Sequence, residues 1–275
     1  MKPVSEQTVL ITGSTSGHGR ALAERLAAEG ATVLLHGRND ELGNRALTEI
    51  EQATGNDRLR FYRADLSSLD EVRDLAAMIQ EDQEQLDCLI NNAGVGAADS
   101  GGAGRMISRD GNELRFQVNY LAPFLLTRLL LPLLIESAPA RIINVSSAGQ
   151  ASIDFNDPML EHRYDGLQAY CQSKLAQVMD TIELAEELDP SEVTVNCLHP
   201  ATYMDTKMVR IAGVNPASTV EEGAEATLRL VTDPSLDGTS GLYFDHSHES
   251  VAHSQAYDDD ARTKLMVLSK RLTGL

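Results

Sequence analysis

The sequence predicts an α/β protein: a single doubly wound parallel sheet of about seven strands with helices on both faces. Three observations predict it. Strand and helix patterns alternate from near the first residue to near the last, as repeated βα units do. A glycine cluster at 13, 17 and 19 stands where the first strand pattern gives way to the first helical one. No Pro/Ser-rich linker, composition break or fixed-period repeat divides residues 1–275, so one domain is expected.

The elements follow in order. Residues 8–12 are a short β-branched apolar run, and 20–29 carry apolar residues at 22, 23, 26 and 27, one helical stripe. Strand-like 32–35 precedes a helix over 41–53. Strand 59–62 precedes a helix over 69–79. "DCLINNAG" is a strand ending at Asn91, and 110–134 reads as one long helix. "RIINVSS" is a strand, 168–187 a helix, "VTVNCLHP" a strand, 221–231 a helix, "GLYF" a short strand and 258–272 the last helix. Loops are expected at 95–109, 148–167, 201–219 and 245–257, mostly after strand ends, where open α/β sheets bind ligands.

Composition narrows the function. The chain is 42% hydrophobic and 23% charged, ordinary for a globular protein, and without Trp its core should be aliphatic. A net charge of -18 repels nucleic acid and anionic membranes, so no nucleic-acid partner is expected. Cys88, Cys171 and Cys197 show no CxxC spacing and read as buried free thiols of a reducing compartment. A strand pattern begins within eight residues of Met1, and "LLTRLLLPLL" is interrupted by Arg128 and Pro132. A cytoplasmic protein without leader or membrane anchor is the expectation, with that stretch a buried or interface helix. No HExxH or calcium-loop spacing exists, and no metal is expected.

The glycine cluster has the context of a dinucleotide turn: strand, turn, helix, second strand. Gly13 suits the tight turn, while Gly17 and Gly19 let backbone approach a pyrophosphate and the helix pack on the sheet. Ser16 and His18 lie within that turn. The helix N-terminus favours phosphate. The second strand ends "LLHGRND". An acidic residue there would hold the ribose hydroxyls of NAD. Gly37 instead leaves room, and Arg38 offers a guanidinium fork to a 2′-phosphate, with Ser14 as a further donor and Asn39 adjoining. NADP(H) is therefore favoured over NAD(H). The alternative is an Arg38 that stacks on adenine or faces solvent. Asp40 is expected at the next helix's N-cap.

"AYCQSKLA" places Tyr170 and Lys174 one turn apart on one helix face. A free phenol titrates at about 10, and proton transfer at neutral pH wants a value of about 7, a difference worth roughly 4 kcal/mol. A cation at ~4 Å in an effective dielectric of ~20 supplies about that much. Lys174 can do this while also holding nicotinamide ribose hydroxyls.

The G-x-x-x-G-x-G spacing led by Thr12, with "NNAG", "NVSS" and the Tyr–Lys pair in order, resembles the short-chain dehydrogenase/reductase family, of Rossmann-type fold. The resemblance runs from Thr8 to Leu272. It implies that Asp65 meets the adenine amino group with Leu66 beside the ring; the residues alone favour a helix-cap cluster. It implies that Asn92, Ala93 and Gly94 border the adenosine side. It makes Ser147, rather than Ser146, the substrate-oxygen donor. It places Asn119 at the catalytic Asn, kinking the long helix and holding a water that links Lys174 to solvent. Pro200, Thr202 and Thr206 fall in the cofactor loop after the sixth strand.

"IDFNDPMLEHRYDGLQAYCQSKLA" and "DDDARTKLMVLSKRL" look like the retinol dehydrogenase and protochlorophyllide reductase branch, whose members often act on apolar carbonyls or alcohols with NADP. Three departures stand out: Ala201 in place of Gly, Met266 where Trp is usual, and His18 in place of an apolar residue. For His18 a packing or solvent role is preferred to catalysis. Gly96, Ser152, Phe155, Tyr203, Met204 and Met208 are loop positions suited to an apolar pocket, with loop packing the alternative. The expected function is NADP-dependent hydride transfer to or from the carbonyl or alcohol of an apolar small molecule. Alternatives are a C=C reductase of the same family and a catalytically silent NADP-binding sensor. The resemblance also implies a homodimer or homotetramer paired through the long helices.

Overall fold

The computed structural model describes residues 2–98 and 104–275; of the expected loop 95–109, positions 99–103 lie outside the described residues. The elements are β1 (Thr8–Ile11), α1 (Gly17–Ala28), β2 (Thr32–Gly37), α2 (Asp40–Thr54), β3 (Leu59–Arg63), α3 (Leu69–Asp82) and β4 (Cys88–Asn91). There follow α4 (Leu114–Phe116), a π-helical turn (Gln117–Leu121), α5 (Ala122–Glu136), β5 (Ala140–Val145), α6 (Gly166–Glu187) and β6 (Val193–His199). The chain closes with α7 (Lys207–Ile211), α8 (Val220–Thr232), β7 (Tyr243–Asp245), β8 (His248–Ser250) and α9 (Asp259–Thr273).

One sheet holds all the strands in the order β3-β2-β1-β4-β5-β6-β7-β8. Seven run parallel as expected, and β8 adds an antiparallel edge. The sequence reading missed β8 because "HES" has no apolar alternation and follows a two-residue reversal. It also missed the five-residue α7, and it began the long helix four residues early.

Alternation along the parallel strands sorts side chains to two faces. Leu10, Leu34, Leu89, Ile142 and Val195 face one core, under α3, α5, α6 and α9. Val9, Ile11, Val33, Leu35, Ile90 and Ile143 face the other, under α1, α2 and α8. Strand order reverses between β1 and β4, which opens a crevice at their carboxyl ends.

The helix Leu114–Glu136 is long and apolar enough to cross a membrane by length and composition, yet 67% of its most apolar window is buried, as a core helix requires. Arg128 lies over the Phe124 ring and pairs with Asp180 at 2.6 Å, so the charge inside "LLTRLLLPLL" is matched across to α6. Met266 is buried in the first core, with Arg128 against its sulfur. Cys88 and Cys197 are buried free thiols, pushed up to about 12 by burial, whereas Cys171, expected to be buried, is only half-buried.

Candidate active site

The turn after β1 is braced against the turn after β4. Thr12 Oγ1 accepts the N–H groups of Asn92 and Ala93 at 2.9 and 3.0 Å, and Asn92 Nδ2 donates to Thr12 O at 2.8 Å. The turn needs its glycines. Gly13 has φ 67°, and a Cβ there would stand 2.8 Å from Ala93 Cα. At Gly19 a Cβ would lie 2.4 Å from Asn92 Nδ2 and 2.5 Å from Gly13 O. Gly17, by contrast, faces only the Thr206 methyl, at 3.5 Å. That open face is where a phosphate has room.

The start of α1 differs from the others in a telling way. Asn39, Ser68, Asp165, Thr219 and Asp258 each cap a helix with a side-chain oxygen. Ser16, at the N-cap of α1, makes no such bond. The first amides of that helix are therefore offered to an external anion. This cradle fits a pyrophosphate.

Side chains around the cradle depart from expectation in several places. Ser14, expected to donate to a phosphate, is fully buried: its hydroxyl donates to Ile11 O at 2.9 Å and accepts from His36 N at 3.0 Å. The half-buried hydroxyl on this side is Thr15, whose methyl would lie 2.6 Å from a Cβ at Gly37. Gly37 thus makes room for Thr15 first. Arg38 is exposed and forms no ion pair within 4 Å among the described residues. Asn39, not Asp40, is the N-cap of α2, accepting from Leu42 N at 2.9 Å.

Asp65 closes a turn onto Ser67 N at 3.0 Å and faces Arg109 at 3.6 Å. Ser68, rather than Asp65, caps α3. Leu66 is 6% exposed and packs in the first core.

His36 escaped notice in the sequence. Its Nδ1 accepts Gly13 N–H at 3.1 Å and its Nε2 lies 3.2 Å from Ala64 O, so Nε2 carries the proton. Burial pushes it down to about 4, and a neutral ring ties the glycine turn to the end of β3.

His18 is buried too. Nδ1 meets Asn92 Oδ1 at 2.8 Å and Nε2 meets Thr227 Oγ1 at 3.1 Å. Both ring nitrogens are engaged within the protein, and burial lowers the ring's pKa. The ring is a packed bridge between α1, the 92–94 turn and α8.

The reacting groups meet at the carboxyl ends of β4 and β5. Ser146 Oγ donates to Lys174 O at 2.9 Å and so fixes α6 on the strand end. Ser147 Oγ accepts Gly149 N–H at 3.0 Å, which leaves its own proton free to donate outward. Around a Cβ position at Gly149, Ser147 Oγ and Tyr170 Cε1 both fall within 4 Å, at 3.5 and 3.9 Å. The serine hydroxyl and one edge of the Tyr170 ring both border Gly149.

Lys174 Nζ stands 5.9 Å from the Tyr170 ring centroid, bonded to Val145 O at 2.8 Å and Gln177 Oε1 at 2.9 Å. Gln177 was another residue the sequence reading missed, although its i+3 spacing from Lys174 is visible. A Cβ at Gly94 would come 3.7 Å from that Nζ, so the glycine keeps the space beside the amine open.

Burial pushes Lys174 down to about 7. Unfolded, a lysine keeps its proton to about 10.4. Between those values the unfolded chain binds more protons, so stability rises with pH through the window and the penalty is greatest below it. Against Lys174→Met, the cofactor-free wild type should gain stability steadily from neutral to alkaline pH in urea titrations. A difference that stays flat with pH would refute this.

Asn119 lies in the π-helical turn, a feature often found at functional sites. Its amide is engaged at both ends: Oδ1 accepts Val95 N–H at 2.7 Å, and Nδ2 donates to Val95 O at 3.1 Å and Ser173 Oγ at 2.9 Å. The side chain positions the 94–95 segment against α6.

The loops divide the remaining candidates. Pro200 is buried. Thr202 is exposed, with its hydroxyl 3.0 Å from His199 Nε2. Thr206 caps α7 and borders Gly17, on the cofactor side. Met204 Sδ packs where a Cβ at Gly223 would stand 2.2 Å away, against α8. Tyr203 is 54% exposed and Met208 half-buried. Phe155 packs partly on the first core. The carbonyls of Gly96 and Ala97 accept from Arg115 at 3.0 and 2.7 Å. Arg115 is fully buried, as is Glu113, 3.3 Å away; Tyr164 OH joins both. This triad locks the two substrate-side loops together, and nothing in the local sequence signalled it.

Serine, phenol and amine at the switch point of a doubly wound sheet, facing an uncapped phosphate cradle, define a dinucleotide-dependent oxidoreductase. A family profile described as short chain dehydrogenase matches residues 7–215. Retinol dehydrogenase 13 of Mus musculus is 37% identical over 287 residues, which cover 98% of this chain and 84% of its own. Retinol dehydrogenase 14 of Homo sapiens is 36% identical, with 98% and 87% covered. Among solved structures, a protein from Mycobacterium paratuberculosis matches with TM-score 0.79 at 28% identity, over 98% of this chain and 94% of that one. A short chain dehydrogenase of Escherichia coli CFT073, complexed with NADPH, matches with TM-score 0.71 at 28% identity, over 88% and 97%. The chain belongs to the short-chain dehydrogenase family, in its retinol dehydrogenase-like branch.

Proposed function

We propose that this chain is an NADP(H)-dependent enzyme that interconverts the carbonyl and alcohol of an apolar small molecule. The observation that carries the reading is the meeting of Ser147 Oγ and the Tyr170 ring edge at Gly149, beside Lys174. The bound cofactor supplies or accepts the hydride. Ser147, already accepting from Gly149, donates its proton toward the substrate oxygen and orients it. Tyr170 gives a proton to that oxygen in reduction and takes it back in oxidation. Both hydroxyls stabilise the charge that develops there. Lys174 has three donors when protonated, and two are engaged. The third is available to a ribose hydroxyl or to the phenol.

The apolar substrate class rests on relatives named for retinol. NADP preference rests on exposed Arg38 after Gly37, and on the NADPH-complexed neighbour. Charge-assisted hydrogen bonds contribute about 1.5–3 kcal/mol. Arg38→Ala should therefore weaken NADPH roughly 10- to 100-fold and leave NADH nearly unchanged, as read by fluorescence titration. Equal losses for both nucleotides would remove the phosphate assignment. A screen of apolar aldehydes and ketones, following NADPH absorbance, tests the reaction itself. Tight NADPH binding without consumption by any carbonyl would overturn it.

A further inference from the structure

The edge of the sheet beyond β6 carries a constellation that hydride transfer does not use. Register pairs His199 of β6 with Asp245 of β7, and Asp245 with His248 of β8. Directly paired residues project to the same face of a sheet. The chain reverses between β7 and β8 through His246 and Ser247, and His246 adopts φ 55°. Its ring meets that of His199 edge-on, with centroids 5.4 Å apart, and its Nδ1 lies 3.0 Å from Asp245 Oδ1. One ligand-capable atom from each of His199, Asp245 and His246 lies within 4.8 Å of the other two.

We propose that His199, Asp245 and His246 form a three-ligand site for a first-row divalent cation, zinc above all. Two imidazoles and one carboxylate are a borderline donor set, and solvent completes the coordination. The ligands are held ready in two ways. His199 is buried, with Nε2 bonded to Thr202 Oγ1 at 3.0 Å. That bond orients the ring and leaves Nδ1 to ligate, as outer-shell partners of metal-bound histidines do. Arg229 donates to Ser247 O and pins the reversal that carries His246. The Asp245 and His246 side chains are 50% and 44% exposed, so an ion enters directly from solvent. Through His199 and Thr202, the cation ties the β6–β7 edge to the loop that borders the glycine turn.

The test is calorimetric titration of the full chain, stripped by chelation, with zinc chloride in excess magnesium, which takes up the acidic surface. Wild type should bind one tight equivalent and rise in Tm on binding. His246→Ala and Asp245→Asn, both at half-exposed positions, should each weaken that equivalent at least about tenfold. Each variant's zinc-free Tm should match that of wild type, which keeps affinity separate from folding. NADPH binding is measured in parallel and reports on the cofactor site independently. Absence of a saturable zinc equivalent in wild type, or its survival at full affinity in either variant, overturns the site.

Discussion

Tyr170→Phe lowers turnover by about 10²- to 10⁴-fold while NADPH affinity stays at the wild-type level. The substitution removes one oxygen and keeps the ring, so the α6 surface beside Ser147 and Lys174 is preserved. What disappears is the phenol's proton, while the ring edge that borders Gly149 beside Ser147 remains. Single-turnover NADPH oxidation reads the chemical step, and fluorescence titration reads binding. Ser147 retains its bond from Gly149 and still orients substrate, so residual binding of a carbonyl is expected. Turnover equal to wild type would falsify the proton-transfer role and, with it, the proposed mechanism.

Arg115→Met should cost about 3–5 kcal/mol of stability, because it strands a fully buried Glu113 carboxylate. Glu113 would keep Tyr164 OH and Phe116 N–H but lose its cation. The carbonyls of Gly96 and Ala97 would lose their donor in the same step. The double variant with Glu113→Gln should recover part of the loss, since no buried charge is then unpaired. Urea unfolding at neutral pH measures both. A single-variant cost below ~1 kcal/mol would show that water reaches the pair and that the two loops are not locked by it.

What the sequence revealed and what it hid follow a physical line. The parallel sheet was legible because βα units write their period locally: apolar runs for strands, stripes for helices, glycines between. The Tyr170–Lys174 pair was legible because four residues on a helix bring two side chains to one face. Ser14 was expected to face a phosphate because a turn has no period; that its hydroxyl points inward is set by Ile11 O and His36 N. His36 itself looked like any strand residue; its partners are backbone atoms of Gly13 and Ala64, which no side-chain pattern announces. Arg115 and Tyr164 meet across 49 residues of chain. His18 was visible as an oddity, but its explanation lay 209 residues away, at Thr227.

The uncapped start of α1 reaches beyond phosphate recognition. A helix whose first turn lacks an internal cap borrows its last increment of order from whatever anion docks there. The nucleotide then acts as a folding ligand, contributing about 2.7 kcal/mol at a hundredfold excess over its Kd. Lifetime against unfolding and proteolysis would then follow the size of the dinucleotide pool, so that the amount of usable enzyme tracks the supply of its own coenzyme.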